Sequence, residues 1–331
     1  MADCGLLDRI VMGFTRQTIT IPTHSPRRFA RGKVIKGCCS TPVAGINNAV
    51  RKKSRYGLAG KCLVLLFLGL VSILAGAAPP QRVVSLNLCS DQLLLMLADP
   101  EQIASVSHLA REETSSFVAS RAKEYPANHA QLEEIITLQP DLVLTVPYTN
   151  PRLITALQHL GFNLYPLTLG NHLHEITSEI ERLAIRLGQK TRGKAVVDEM
   201  LQRIASETEH SELNRPSALF YQPRGYTSGT NTLQNEALKL AGWRNSAAEN
   251  GLQGYGQISL EKVILSQPDI LITSAYGKLS NSLAEQILSH PVLFRLMQDQ
   301  PRLEIPYKYW ICPGPMLAEA VSLLREAKKL K

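Results

Sequence analysis

An internal repeat constrains this chain more than any other feature. Residues 132–148 read LEEIITLQPDLVLTVPY and residues 260–276 read LEKVILSQPDILITSAY, so that Leu, Glu, Ile, Gln, Pro, Asp, Thr and Tyr recur in register. In each copy a short helical pattern runs into a proline, which cannot donate to the helix ladder, and then into an aliphatic run with strand character. A unit of this kind cannot bury its apolar face alone, and two copies imply two related lobes. A chain of 331 residues is long enough to hold both.

The sequence around the repeat alternates strand and helix signals. Strand patterns fall at 82–86, 103–106, 141–146 and 163–167, with helical patterns at 91–98, 132–138 and 151–160. Ser90 is placed to cap the first of these helices. Residues 173–210 read as nearly continuous helix, with Gly188 expected to end a first segment and Thr191 to open a second. The alternation then resumes: strands at 217–221, 269–273 and 302–306, and helices at 233–241, 260–265, 283–288 and 316–330. Strands that alternate with helices imply an α/β fold with mainly parallel sheets covered on both faces. The expected division is 82–170 for an N-terminal lobe, 171–212 for linking helices and 213–331 for a C-terminal lobe.

The basic balance of the chain is local. Up to Gln81 there are 12 Lys and Arg against 2 Asp; the remainder has 24 basic against 26 acidic residues. The net charge of +8 therefore belongs to the leader and gives no case for nucleic acid. Within 51–77, Arg51, Lys52, Lys53, Arg55 and Lys61 precede the apolar run 62–74 and the small residues Ala75, Gly76 and Ala77, the pattern of a cleavable signal peptide. An uncleaved anchor is the alternative, weakened by the shortness of the run. Residues 1–50 read as a disordered leader or a start assigned too early. Four of the six cysteines lie before Ala78, leaving Cys89 and Cys312 as thiols, ligands or a disulfide.

The strand start RVVSLN, the two LE…QPD segments, the turn from Gly161 to Pro166 and the long helical stretch between the lobes resemble the periplasmic binding proteins of ABC importers for ferric siderophores, haem and cobalamin. The resemblance covers nearly the whole chain from Arg82. It implies two Rossmann-like lobes joined by a long α-helix, with a ligand cleft between them. It also implies an exported periplasmic protein, expected as a monomer, that hands a metal chelate to a permease dimer and its ATPase subunits. A glutamate from each lobe would dock onto permease arginines, and the matching positions are Glu133 and Glu261.

Ligands of open α/β sheets sit beyond the carboxyl ends of the strands. The residues at those ends here are polar or aromatic: Asn87, Cys89, Ser90, His108, His129, Tyr148 and Asn150 in the first lobe. In the second they are Gln222, Arg224, Tyr226, Thr227, Tyr255, Tyr276, Tyr309, Trp310 and Cys312. Aromatic surface with a few polar groups suits a large, flat, partly apolar ligand. No nucleophile elbow, Walker loop, dinucleotide fingerprint or HExxH is present, so the expectation is a binding protein with no catalytic cofactor. A free metal-ion binder and a periplasmic sensor or scaffold on the same fold are the alternatives.

Overall fold

The computed structural model describes residues 78–205, 215–274 and 302–329, and within them both copies of the repeat fold alike. The leader, Tyr276 and the helix expected at 283–288 lie outside the described residues. In each copy the glutamine of the QPD tripeptide adopts the left-handed conformation, at φ 46° for Gln139 and φ 41° for Gln267. It closes the helix, the proline prevents its continuation, and the aspartate turns back to the neighbouring strand. Asp141 accepts hydrogen bonds from the backbone N–H groups of Gln81 (2.6 Å) and Arg82 (3.0 Å). Asp269 accepts from the N–H and hydroxyl of Ser217, at 2.8 and 2.9 Å. Each aspartate thereby fixes where the central strand of its lobe begins, and the register follows: Val83 pairs with Leu142, and Ala218 with Ile270.

The N-terminal sheet comprises β1 (Val83–Ser85), β2 (Ile103–Ser107), β3 (Ala127–Asn128), β4 (Leu142–Thr145) and β5 (Leu164–Pro166). They lie in the order β3-β2-β1-β4-β5, all parallel. Helices α1 (Leu88–Leu97), α2 (Ala119–Ala122), α3 (Leu132–Leu138) and α4 (Pro151–His159) connect them. In the C-terminal half, β6 (Ser217–Phe220), β8 (Arg244–Asn245), β10 (Ile270–Thr273) and β11 (Arg302–Glu304) form a second parallel sheet ordered β11-β10-β6-β8. The central strands β1, β4, β6 and β10 are buried along their whole length, as expected of parallel sheets covered on both faces. Two short strands, β7 (Tyr226–Ser228) and β9 (Tyr255–Gln257), pair antiparallel as a separate ribbon. Helices α7 (Leu233–Leu240), α8 (Ser246–Glu249), α9 (Leu260–Ser266) and α10 (Leu317–Lys329) complete this half.

The linking stretch is two helices, α5 (Leu173–Arg186) and α6 (Lys190–Ala205). The break falls where the sequence places it: Gly188 takes φ +77°, a conformation that would strain a side chain. The two helices fold back on one another so closely that a Cβ on Gly193 would stand 2.2 Å from that of Ala184. They also join the halves. A single apolar core runs from Val83, Leu94 and Leu142 through Ile180, Leu183 and Met200 to Ala218, Ile272 and Leu317. Both sheets accordingly belong to one compact unit, Phe67–Lys331. No helix among the described residues is long and apolar enough to cross a membrane.

Helix α1 starts earlier than its sequence suggests. Asn87, not Ser90, is the N-cap, and its Oδ1 accepts from the Cys89 N–H at 2.9 Å. Ser90 lies one turn inside, its hydroxyl donating to the Asn87 carbonyl at 2.9 Å. Asparagine competes equally well for the cap position and comes first after the strand.

Candidate ligand cleft and docking faces

Strand order switches sides at β1 and at β6: β2 and β3 lie on one flank of β1 with β4 and β5 on the other, and β8 lies on one flank of β6 with β10 and β11 on the other. The carboxyl ends of these sheets are therefore the places to look for a site. In the N-terminal lobe, β2 and β3 pair Ser107 with Asn128, so the residues that follow, His108 and His129, emerge side by side. Their rings stack with centroids 4.7 Å apart, and both residues are exposed. His129 Nδ1 also lies 3.2 Å from Glu134 Oε1. Tyr148, beyond β4, is 70% exposed. Asn87 and Asn150 are occupied as helix caps.

The C-terminal lobe supplies a cavity of about 300 Å³. Its wall is aromatic at Phe220, Tyr226, Tyr255, Tyr307 and Trp310, and polar but neutral at Gln222, Thr227, Ser228 and Gln234, with Ile311 beside them. No Asp, Glu, Lys, Arg or His is among these lining residues. Tyr226 and Tyr255 come from the two strands of the ribbon, whose register sets Ser228 opposite Tyr255 and Gln257 opposite Tyr226. Side chains two apart on a strand share a face, so Tyr226, Ser228 and Tyr255 lie on one side of it. The Tyr255 hydroxyl donates to Gln234 Oε1 at 3.1 Å, and Gln234 Nε2 donates to the Trp310 carbonyl at 3.3 Å.

Trp310 is a wall rather than a platform. It is buried, meets Phe220 edge to face at 5.0 Å, and donates its indole N–H to the Ser274 hydroxyl at 2.8 Å. Tyr309 is not among the lining residues and packs edge-on against Phe117 at 5.9 Å. Arg224 is not among the lining residues; it lies between Gln222 and Tyr226 in the sequence, exposed, in a turn where it takes φ 61°. Left-handed backbone at a residue other than glycine is stored strain of the kind that clusters at binding sites.

Cys89 and Cys312, which the sequence leaves as thiols, ligands or a disulfide, form a disulfide across the two halves, 223 residues apart. Both sulfurs are bonded to each other within a small apolar cluster with Leu88, so neither is a thiolate available to a metal. No group of three or more His, Cys, Asp or Glu among the described residues is placed to hold a metal ion.

Glu133 and Glu261 occupy the first turns of the equivalent helices α3 and α9, and both are exposed. The Ser259 side chain, and then its own backbone N–H, hold the Glu261 carboxyl below the usual carboxylate range. Glu134, next along, is consumed locally: it accepts from the N–H groups of His129 (2.7 Å) and Gln131 (3.3 Å). Hydrogen bonds from the His129 backbone are the main cause of its lowered pKa.

Sequence reasoning missed Phe220, Ser228, Gln234, Tyr307 and Ile311 as cavity residues. Their signal was weak. Ser228 and Gln234 lie within a dozen residues of Gln222, but Ser228 reaches the wall on the paired strand β7 and Gln234 on the first turn of α7.

Two α/β lobes built on one helix–strand unit, fused through a helical hairpin, with an aromatic cavity at the strand ends, define a two-lobed solute-binding protein. Residues 83–296 match the periplasmic binding protein family, and the chain belongs to it. A cobalamin-binding protein of Halobacterium salinarum is 25% identical over 198 residues, covering 59% of this chain and 54% of that protein. The chain thus spans about half the length of that relative. The vitamin B12-binding protein of Vibrio cholerae is 28% identical over 212 residues, covering 62% of this chain and 75% of its own. Among solved structures, the periplasmic heme-binding protein RhuT of Roseiflexus sp. RS-1 has the same fold, with a TM-score of 0.60 at 24% identity over 75% of this chain and 98% of that one.

Proposed function

We propose that the protein is exported, through the signal peptide in residues 51–77, and delivers a metal chelate, cobalamin first, to an ABC importer. The observation that carries this reading is the aromatic cavity at the carboxyl end of the C-terminal sheet, on a fold that belongs to the periplasmic binding protein family. Tyr226 and Tyr255 offer exposed rings to a flat macrocycle, while Phe220 and Trp310 close the back of the pocket. The names of the relatives from Halobacterium salinarum and Vibrio cholerae support cobalamin as the cargo. Arg224, in the turn between Gln222 and Tyr226, and Tyr148 on the opposite lobe complete the proposed set of ligand contacts. A second reading, haem, is favoured by the exposed His108–His129 pair, since haem iron takes imidazole as a ligand.

Docking falls to Glu133 and Glu261. They lie at matching positions of a duplicated helix, and two equivalent carboxylates suit a partner made of two subunits that presents the same basic pocket twice. Visible absorption of the protein purified with its native cargo, followed by tryptophan fluorescence titration, tests the ligand. Failure of cobalamin, haem and ferric siderophores to bind at micromolar concentration, about −8 kcal/mol, rejects the delivery reading. Charge reversal by Glu133→Lys with Glu261→Lys is expected to abolish uptake and leave ligand affinity unchanged; lost affinity with normal uptake rejects the docking assignment.

A further inference from the structure

The cavity wall contains a buried hydroxyl to which the described residues offer no partner. Ser228 is 1% exposed, lines the cavity, and its hydroxyl has no partner among the described residues. Ribbon periodicity turns it to the same side as Tyr226 and Tyr255. A buried hydroxyl without a partner costs on the order of what a good hydrogen bond returns, and such groups are rare enough to require a reason. Gln234, 5% exposed, stands on the same wall with its oxygen taken by Tyr255 and one amide N–H taken by Trp310. A primary amide carries two N–H groups, so one remains to donate.

We propose that this part of the cavity is a subsite for a neutral carboxamide arm of the ligand, with Ser228 and Gln234 as its specificity-determining contacts. The inference rests on the delivery reading above and narrows the ligand class within it. A hydroxyl donates and accepts, and an amide N–H donates, which is the complement of a carboxamide carbonyl and its NH₂. A carboxylate arm in the same place would be buried with no positive charge among the lining residues. The cost of desolvating an unpaired anion far exceeds that of an amide whose hydrogen bonds are met. The cavity therefore selects chelates that bear amide arms over those that bear carboxylates.

The test uses the purified full-length protein and fluorescence titration with cyanocobalamin, the separate monocarboxylic acids made by hydrolysing one of its peripheral amides, and haemin. At least one acid isomer is expected to bind about tenfold or more weaker than cyanocobalamin at neutral pH. Ser228→Ala is expected to weaken cyanocobalamin about three- to tenfold. Because that substitution removes an unpaired buried hydroxyl, its melting temperature should be unchanged or higher, which separates lost recognition from lost folding. If every acid isomer binds as tightly as cyanocobalamin and Ser228→Ala has no effect, the subsite is wrong and the delivery reading stands. Tighter binding of haemin than of cyanocobalamin overturns the subsite together with the choice of cobalamin. Binding of neither overturns the subsite, and failure of ferric siderophores as well overturns the delivery reading with it.

Discussion

The two lobes share their joints and differ in their linings. Both use a left-handed glutamine, a proline and an aspartate to lock a short helix to the start of a central strand. Yet the N-terminal lobe buries a carboxylate behind its sheet and shows imidazoles at its rim, whereas the C-terminal lobe buries amides and shows phenols. The difference at the repeat itself has a simple cause. Helix α3 is capped by Glu134 from its third position, so that residue is fixed by local structure. Helix α9 is capped by Ser259, whose oxygen accepts from the Lys262 N–H at 3.4 Å, and position 262 is released to carry the opposite charge. Duplicated architecture is held by the groups that make joints, and each lobe is free to change the rest.

The largest expected effect removes what ties the lobes together. Closing a loop of 223 residues lowers the entropy of the unfolded chain. By loop-closure arithmetic the Cys89–Cys312 bond is worth about 5 kcal/mol. Thermal melts with and without reductant, and of Cys89→Ser with Cys312→Ser, are expected to show a fall of many degrees; coincident curves reject the tie.

The next effect belongs to the N-terminal lobe alone. Burial pushes the Asp91 carboxyl up to about 7 from its ordinary 3.8, against the hydrogen bonds from Ser107 and Ser85 that favour its ionised form. Between those values the folded protein holds a proton that the unfolded chain has released. Stability from this group is therefore complete below about pH 4 and lost as pH rises through 7, by about 4 kcal/mol. Asp91→Asn should flatten that decline in urea titrations at pH 5 and pH 8, while α7, which buries Gln234 and Asn235 instead, contributes no such slope.

Smaller effects probe the joints. Asp141→Ala and Asp269→Ala each remove charge-assisted hydrogen bonds to the start of a strand and should cost about 2 kcal/mol apiece in denaturant unfolding. A cost confined to one of them would break the equivalence of the two units. Glu134→Ala should cost about 1 kcal/mol through loss of its cap. Lys262→Ala, at the matching site, should stay within about 0.5 kcal/mol of the parent.

Much of this architecture was legible in the sequence because it rests on local signals. The repeat gave both helix–strand units, Gly188 gave the break in the linking helices, and alternating strand and helix patterns gave parallel sheets. The short strands β3, β8, β7 and β9 carried no readable periodicity, since two or three residues with polar neighbours form strands only when another segment pairs with them. Ser228 was invisible for the same reason. It reaches the cavity wall through a partner strand 27 residues further along the chain. Trp310 was legible as aromatic and near the site, but its burial depends on Phe220 and Ser274, which are distant in sequence. His108 and His129 could be placed at strand ends one by one, while their stacking required the register of β2 on β3.

The cross-lobe disulfide also sets an order of events during maturation. Chains are made from the N-terminus, and Cys89 is therefore synthesised 223 residues ahead of its partner Cys312. The native bond must wait until β6 to β11 have followed, because Cys312 comes after them in the sequence. From Ala78 onward Cys89 and Cys312 are the two cysteines of the sequence, so one pairing is available there. Its formation therefore marks the point at which strands of both sheets have been made.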